Sequence, residues 1–113
     1  MYNNEIVDLQ EIQQVAPQMK QAVEIGRFSK KYGFDWSEVN QVYKTFLSEV
    51  TELEEAWQMA ESSLRRRNIE EELGDVFFSL SQLCRHLELD PDMILKKSNE
   101  KFCQRFFYYS TNS

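Results

Sequence analysis

The spacing of apolar residues constrains the fold of this chain more than any other feature of its sequence. Across residues 39–57, apolar side chains recur every three or four positions, which is the period of one face of an α-helix. Stripes with a similar period cover residues 69–87 and 95–109. Because only 3 Gly and 2 Pro interrupt the chain, these stripes predict long helices rather than many short strands. We therefore expect an all-α fold.

The first part of the chain carries a weak helical signal and then a clear one. Residues 1–15 form a leader, predicted as a weak amphipathic helix or a turn. Pro17 fits the first turn of the next helix, where a missing N–H has no consequence. That helix runs to about Tyr32, and Gly33 fits its C-terminal cap because glycine accepts the left-handed conformation.

Two further helices are predicted in the middle of the chain. Ser37 is a good N-cap for a helix that ends near Glu61. Residues 62–68, which include three arginines, are predicted as a polar connection, and the following helix covers residues 69–87. The predicted core positions of these two helices are Val39, Val42, Tyr43, Phe46, Val50, Leu53 and Trp57, then Ile69, Leu73, Val76, Phe77, Leu80, Cys84 and Leu87.

The last helix opens at residues 90–91, where Asp is the N-cap and Pro takes the first helical position. Residues 110–113 are predicted as a polar tail that frays. Phe78 lies about 140° from Leu73 around its helix, so it needs a second burial surface, and a partner subunit is a candidate. The alternative is a single exposed Phe, which is common. The predicted core stripe of the last helix is Leu95, Phe102, Phe106 and Tyr109.

Length and charge limit the classes of function. The 113 residues fit one domain, residues 1–113. A net charge of −6 argues against nucleic acid as a partner. The N-terminus lacks the basic and apolar regions of a secretory signal, and no apolar run approaches the roughly 20 residues of a membrane span. We therefore expect a cytoplasmic protein that acts on neither nucleic acid nor membranes.

Two pairs of carboxylates are distinguished by helical phase from the other acids in segment 49–75. Glu49 and Glu52 are three residues apart on one predicted helix, and Glu72 and Asp75 are three apart on the next. Both pairs flank an apolar stripe, so antiparallel packing of the helices could bring all four together. Mutual repulsion would raise their pKa values unless a divalent cation intervened. Oxygen ligands suit Mg²⁺ or Mn²⁺, whereas the alternative is a solvated acidic face.

The last helix supplies charges of the opposite sign. Lys101 and Arg105 are four residues apart and lie beside its apolar stripe. Cations next to a carboxylate–metal site suit a polyphosphate, because lysine offers a point charge and arginine a bidentate fork. Ordinary surface charge is the alternative. Phe34 and Trp36 could stack on a base or simply cap the helical bundle, and we favour the cap.

An ordered series of segments makes the chain recognisable. The segments are AP at 16–17, GFDW at 33–36, EVTELEEA at 49–56, EELGDVFF at 71–78, LCRHLELDP at 83–91 and SNEKFCQRF at 98–106. Over residues 16–109 this series resembles the MazG nucleotide pyrophosphohydrolase family, and within it the C-terminal domain of two-domain bacterial MazG proteins. The resemblance implies a four-helix MazG-like bundle that is completed by oligomerisation, as a homodimer or homotetramer.

The resemblance also implies an activity and its residues. Family members cleave a nucleoside triphosphate or deoxynucleoside triphosphate into the monophosphate and pyrophosphate. Mg²⁺ is the implied cofactor, with Mn²⁺ as an alternative, and Glu49 or Glu52 is the candidate catalytic base. The residues that match the family's metal-binding carboxylates are Glu49, Glu52, Glu72 and Asp75, and those that match its substrate-binding residues are Asn99, Lys101 and Arg105.

Departures from the family pattern leave alternatives open. Ser48 stands where many members carry a glutamate, although some all-α relatives also lack that acid. Glu88 replaces the glycine that usually closes the preceding helix. A non-glycine residue at positive φ costs about 1 kcal/mol or more, which predicts a different helix end here. The alternatives are a non-catalytic helical module that binds nucleotide or protein with a decayed site, and a related all-α pyrophosphohydrolase restricted to dCTP, dUTP or phosphoribosyl-ATP.

Overall fold

Five α-helices form the part of the chain that the computed structural model describes, residues 2–14 and 17–112. This part contains no strand, which confirms the all-α prediction. In these same residues, no helix is both long and apolar enough to cross a bilayer. The helices are α1 (Tyr2–Ile12), α2 (Gln18–Lys31), α3 (Val39–Trp57), α4 (Ser63–His86) and α5 (Pro91–Asn112).

The central helix is α4. It packs along α3 on one side and against α2 on another, while α1 and α5 both contact α2. The connection between α3 and α4 is only residues 58–62, so the two helices form an antiparallel hairpin, as the carboxylate prediction requires. Val42 and Ala56 of α3 and Val23 of α2 are the buried apolar residues of this small core.

A polar seam joins α4 to α2. Ser79, Ser81 and Gln82 are all buried. The Gln82 amide nitrogen donates to the Ala22 carbonyl oxygen at 2.8 Å and to Ser81 Oγ at 3.1 Å. Gln82 Oε1 accepts from Arg85 Nε at 2.9 Å. These bonds satisfy the polar groups that burial removes from water.

The apolar stripe predicted as the core of α4 is largely uncovered in one chain. Leu73, Phe77, Leu80 and Leu87 are all exposed, and Phe77 most of all at 57%. The prediction that this stripe packs inside the chain is therefore wrong. The reason is that α2 packs on α4 through the polar seam, on a different face of the helix. We call these four residues the α4 stripe.

The stripe predicted as the core of α5 is also exposed. Leu95, Phe102, Phe106 and Tyr109 are between 56% and 72% exposed, so this prediction is wrong for a single chain. The cause is topological, because α5 makes its substantial helix contacts with α2 and leaves the α3–α4 hairpin uncovered. The fold is correspondingly elongated, with a longest dimension of 63 Å.

The start of α3 differs from the prediction by one residue. The N-cap is Glu38 rather than Ser37. The Ser37 backbone N–H and hydroxyl both donate to Gln41 Oε1, at 3.0 and 2.9 Å. The Gln41 side chain thus reaches back past the first residue of the helix. At the other end, α3 stops at Trp57 instead of continuing towards Glu61.

The predicted polar connection over residues 62–68 is wrong. Ser62 is the N-cap of α4, and its Oγ accepts from the Arg65 backbone N–H at 3.1 Å. The three arginines therefore lie on the first turns of α4, which begins at Ser63. This Ser62 cap is a signal that the sequence contains and that the prediction overlooked.

The remaining helix starts agree more closely with the sequence. Pro17 immediately precedes α2 as its N-cap rather than lying inside its first turn. The leader forms α1, although Val15 lies outside the described residues. Asp90 caps α5 as predicted, because its Oδ1 accepts from the backbone N–H groups of Asp92 at 2.9 Å and Met93 at 3.4 Å. The α5 helix continues to residue 112, where a fraying tail was expected.

Two helices end in the same left-handed motif. Gly33 closes α2 with a φ of 89°, as predicted. At the end of α4, Glu88 adopts a φ of 58°. The Leu89 N–H donates to the Cys84 carbonyl at 2.8 Å, and the Glu88 N–H donates to the Arg85 carbonyl at 3.1 Å. The prediction of a different helix end is therefore wrong, and Glu88 bears the strain.

Candidate active site

The packing of α3 on α4 brings the two carboxylate pairs together. One oxygen from each of Glu49, Glu72 and Asp75 lies within 4.8 Å of the others. Glu52, almost one turn after Glu49, lies within hydrogen-bonding reach of both Glu49 and Glu72. The hairpin therefore gathers all four residues that the sequence singled out. We call them the carboxylate cluster.

Electrostatics in this cluster disfavour four ionised carboxylates. Burial raises the pKa of Glu49, and the hydrogen bond with Glu52 and repulsion from the neighbouring acids raise it further. Burial likewise raises the pKa of Glu72, with added contributions from Glu52 and Asp75. Both shifts have the direction expected when like charges share a site that water reaches poorly.

Two oxygen atoms of the cluster are unsatisfied. Glu49 Oε2 and Glu72 Oε2 are shielded from solvent, and neither has a hydrogen-bond partner in the described part of the chain. Unpaired buried polar atoms are costly and call for an explanation. A hard divalent cation provides one, because it takes carboxylate oxygens as ligands and removes the repulsion. The residues present therefore fit Mg²⁺ or Mn²⁺.

The predicted substrate-binding residues lie elsewhere in the chain. Asn99, Lys101 and Arg105 are all exposed on α5. Since the substantial helix contacts of α5 are with α2, one chain does not bring these residues onto the α3–α4 hairpin. The structure thus assembles the acidic half of the predicted site and leaves the basic half apart from it.

A buried ion pair, which the sequence did not predict, fixes the loop between α2 and α3. Arg85 donates to Asp35 through both terminal nitrogens, at 3.0 and 2.7 Å, and His86 Nε2 lies 3.0 Å from Asp35 Oδ1. The hydrogen bonds from Arg85 lower the pKa of Asp35 far below its usual range, against the opposing effect of burial. The partners are 50 residues apart, so no local spacing could have linked them. His86 is the last residue of α4.

An apolar pocket of about 460 Å³ opens beside this loop. Phe78 of α4 lines it but remains 39% exposed in one chain, so the second burial surface expected for Phe78 stays a prediction. The other apolar lining residues are Ile25, Gly26, Gly33, Phe34 and Trp36, and the polar ones are Ser29, Asp35, Gln82 and Arg85. We call this the aromatic pocket.

Comparison with known proteins gives matches over most of the chain. Residues 38–106 match the family model described as the MazG nucleotide pyrophosphohydrolase domain. A nucleoside triphosphate pyrophosphohydrolase/pyrophosphatase MazG from Thermotoga maritima is 36% identical over 96 residues, which are 85% of this chain and 35% of that protein. A nucleoside triphosphate pyrophosphohydrolase from Escherichia coli K12 is 31% identical over 98 residues, 87% of this chain and 36% of that protein. The chain thus spans about a third of the length of these curated relatives.

Proposed function

Because the chain belongs to the MazG nucleotide pyrophosphohydrolase family, we propose that it hydrolyses a nucleoside or deoxynucleoside triphosphate to the monophosphate and pyrophosphate, with Mg²⁺ as cofactor. Mn²⁺ is the alternative ion. The observation that carries this proposal is the carboxylate cluster, with two shielded and unpartnered oxygens. Both similar relatives are named as nucleoside triphosphate pyrophosphohydrolases, which supports the same reaction.

The cluster residues have distinct proposed roles. Glu49, Glu72 and Asp75 would hold the cation, because their oxygens already converge. Glu52, which is more exposed than Glu49, would complete the ligand set. When bound, such a cation neutralises phosphate charge and lowers the pKa of a nucleophilic water. Glu52 or Glu49 would accept the proton that this water loses when it attacks the phosphoanhydride.

The basic half of the site is proposed to come from a second copy of the chain, in a homodimer or homotetramer. The α4 stripe and the apolar face of α5 are both exposed in one chain, and each could cover the other in a partner. Such packing would lay the α5 of one copy over the hairpin of the other. Asn99, Lys101 and Arg105 would then bind the phosphates, and the cations would stabilise the charge that develops there.

Turnover assays test the reaction directly. Incubation with Mg²⁺ and a panel of NTPs and dNTPs should release monophosphate and pyrophosphate in equal amounts. Glu52→Gln should abolish turnover, whereas the matched change Glu55→Gln, at an exposed position outside the cluster, should leave it intact. Release of orthophosphate as the first product, or no turnover with any nucleotide, would contradict the proposal.

The same panel separates the other candidate functions. Turnover of dCTP, dUTP or phosphoribosyl-ATP alone would point to a nucleotide-restricted relative. Binding of nucleotide without turnover would indicate a decayed site, for which Ser48 beside Glu49 is the motivating feature.

Mixing two inactive variants tests whether the site spans two copies. Glu52→Gln removes an acidic group and Arg105→Ala removes a basic one, so each variant alone should be inactive. Random reassembly should restore about a quarter of wild-type activity, because half of the dimers are mixed and each of these has one intact site. No recovery would place both halves in one chain. Light scattering should give a mass at least twice the 13.5 kDa of one chain.

A further inference from the structure

A cavity of about 520 Å³ lies between α2 and the turn that joins α4 to α5. Its lining includes Lys20, Arg27 and Lys30 of α2, together with Arg85, His86 and Glu88 from the end of α4 and the turn after it. We call it the charged cavity. Arg85 lies almost three helical turns after Asp75, about 15 Å along the axis of α4. The charged cavity is therefore separate from the carboxylate cluster.

The Arg85 guanidinium has more hydrogen-bond donors than the protein uses. Its side chain is only 7% exposed. Of the five N–H groups of a guanidinium, the one on Nε donates to Gln82, and one on each terminal nitrogen donates to Asp35. The other two have no partner among the residues that the structure describes. Since buried donors normally have acceptors, Arg85 favours a ligand whose oxygens accept hydrogen bonds in the charged cavity.

The remaining charges of the cavity also favour an anion. The ammonium groups of Lys20 and Lys30 form no ion pair or hydrogen bond within the described part of the chain. The acids of the lining other than Glu88 already have partners, in the pairs Glu24–Arg27 and Asp35–Arg85 and in the cap that Asp90 provides for α5. Unused donors thus outnumber unused carboxylates.

We propose that the charged cavity binds a phosphate-class anion, held by Lys20, Lys30 and the two unused N–H groups of Arg85. A phosphate group suits these donors, because it offers several oxygens to a lysine point charge and to an arginine at once. Inorganic phosphate, pyrophosphate and a phosphate monoester share this chemistry. The anion would contact the Arg85–Asp35 pair, which fixes the loop between α2 and α3.

Trp36 provides a fluorescent reporter for this cavity. Its ring lies edge-on at 6.1 Å from the ring of His86, which lines the cavity. The sequence has 2 Trp, so Trp57→Phe leaves Trp36 as the single tryptophan. Phosphate, pyrophosphate and ribose 5-phosphate should be titrated separately, at constant ionic strength and with a chelator. Without a divalent cation the carboxylate cluster repels all three anions, so a saturable change in Trp36 fluorescence reports the charged cavity. The three dissociation constants identify the preferred form of phosphate.

Neighbouring lysines supply a matched pair of variants. Lys30→Gln removes a cation of the lining and should weaken binding of the preferred anion by roughly 5- to 30-fold, through loss of a charge-assisted contact. Lys31→Gln makes the same change at the next residue, which pairs with Asp8 outside this lining, and should leave the dissociation constant within about twofold of its original value. Both lysines are exposed, so neither change should disturb the fold.

Glu88→Gln gives a test with the opposite sign. It removes the unpaired carboxylate of the lining, so binding should tighten by roughly 2- to 5-fold as repulsion of the anion is lost. No saturable response to any of the three anions at millimolar concentrations would overturn the proposal. So would equal effects of Lys30→Gln and Lys31→Gln, because they would indicate general charge attraction, or weaker binding in Glu88→Gln. None of these measurements requires turnover, so their outcome is independent of the proposed activity.

Discussion

Gly26 and Gly74 are both helical glycines, and the structure predicts opposite effects when each is replaced by alanine. Helix propensity alone favours alanine at both positions by about 0.5–1 kcal/mol. At Gly74 no atom lies within 4 Å of the position that a Cβ would occupy. At Gly26 the new Cβ would overlap Gln82 Oε1 and lie 2.8 Å from Gln82 Cδ.

The clash at Gly26 cannot be removed by a small movement of the Gln82 side chain. Gln82 is 1% exposed and holds hydrogen bonds to Ala22, Ser81 and Arg85. Overpacking a tight contact costs about 1–3 kcal/mol, and displacing Gln82 would leave buried polar groups unpaired at about 1–3 kcal/mol each. These terms exceed the propensity gain, so Gly26→Ala should destabilise the fold by about 2–4 kcal/mol.

Urea unfolding followed by far-UV circular dichroism measures this difference. All variants should be compared at one protein concentration, because oligomerisation would couple stability to concentration. Gly26→Ala should lower the free energy of unfolding by about 2–4 kcal/mol in urea and lower Tm by roughly 10 °C in a separate thermal unfolding experiment. Gly74→Ala should raise the free energy of unfolding by about 0.5–1 kcal/mol.

A double variant tests the assigned cause. In a Gln82→Ala background the nearest obstructing side chain is gone and Arg85 Nε, 2.5 Å from the new Cβ, has lost its Gln82 partner and can move, so Gly26→Ala should cost less than in the wild type, which is the signature of coupled neighbours. If Gly26→Ala proves as stable as the wild type, or costs the same in both backgrounds, the reasoning about the α2–α4 seam is refuted.

Three further predictions concern the ends of α4 and the buried ion pair. Glu88→Gly should stabilise the fold by about 1 kcal/mol in urea unfolding, because glycine adopts the observed positive φ without the strain of an L side chain; a loss of stability would show that the Glu88 side chain makes a compensating contact. Asp35→Asn should cost about 3–5 kcal/mol near neutral pH, because it leaves Arg85 buried without its partner charge. Since the folded pKa of Asp35 is lowered, its contribution to the free energy of unfolding is complete above the unfolded pKa of about 4 and declines as pH falls below it. The difference in free energy of unfolding between wild type and Asp35→Asn should therefore narrow in unfolding curves taken at progressively lower pH. A difference that stays constant with pH would argue against the ion pair. Arg66→Ala should change stability by less than about 0.5 kcal/mol, because its pair with Glu70 is largely exposed on a helix surface, and a larger loss would reveal an unseen contact.

The carboxylate cluster shows which part of a site can be predicted from sequence. Its two pairs follow from local rules, since residues three apart share a helix face. A short connection between the two helices, predicted at residues 62–68 and observed at residues 58–62, then favours an antiparallel hairpin. Helical phase and a short connection therefore suffice to bring oxygen atoms of Glu49, Glu72 and Asp75 within 4.8 Å of one another.

The aromatic pocket shows which part cannot be predicted. Phe78 was recognised as lying off the apolar stripe of its helix, but its neighbours come from α2 and from the loop after it. Nothing in the spacing of these residues links them. Their meeting depends on α2 packing through Gly26 against a buried Gln82, a polar contact that an apolar pattern does not encode.

The sequence by itself determined the presence of the helices, the caps at Gly33 and Asp90 and the acidic half of the candidate site, because each of these depends on residues close together along the chain. Only the tertiary structure decided which faces are covered. It placed α2 on a polar seam of α4, it left the α4 stripe and the face of α5 exposed, and it held Asn99, Lys101 and Arg105 away from the hairpin. Periodicity identifies the apolar face of a helix, but the partner that covers this face depends on the packing of distant segments or of a second chain.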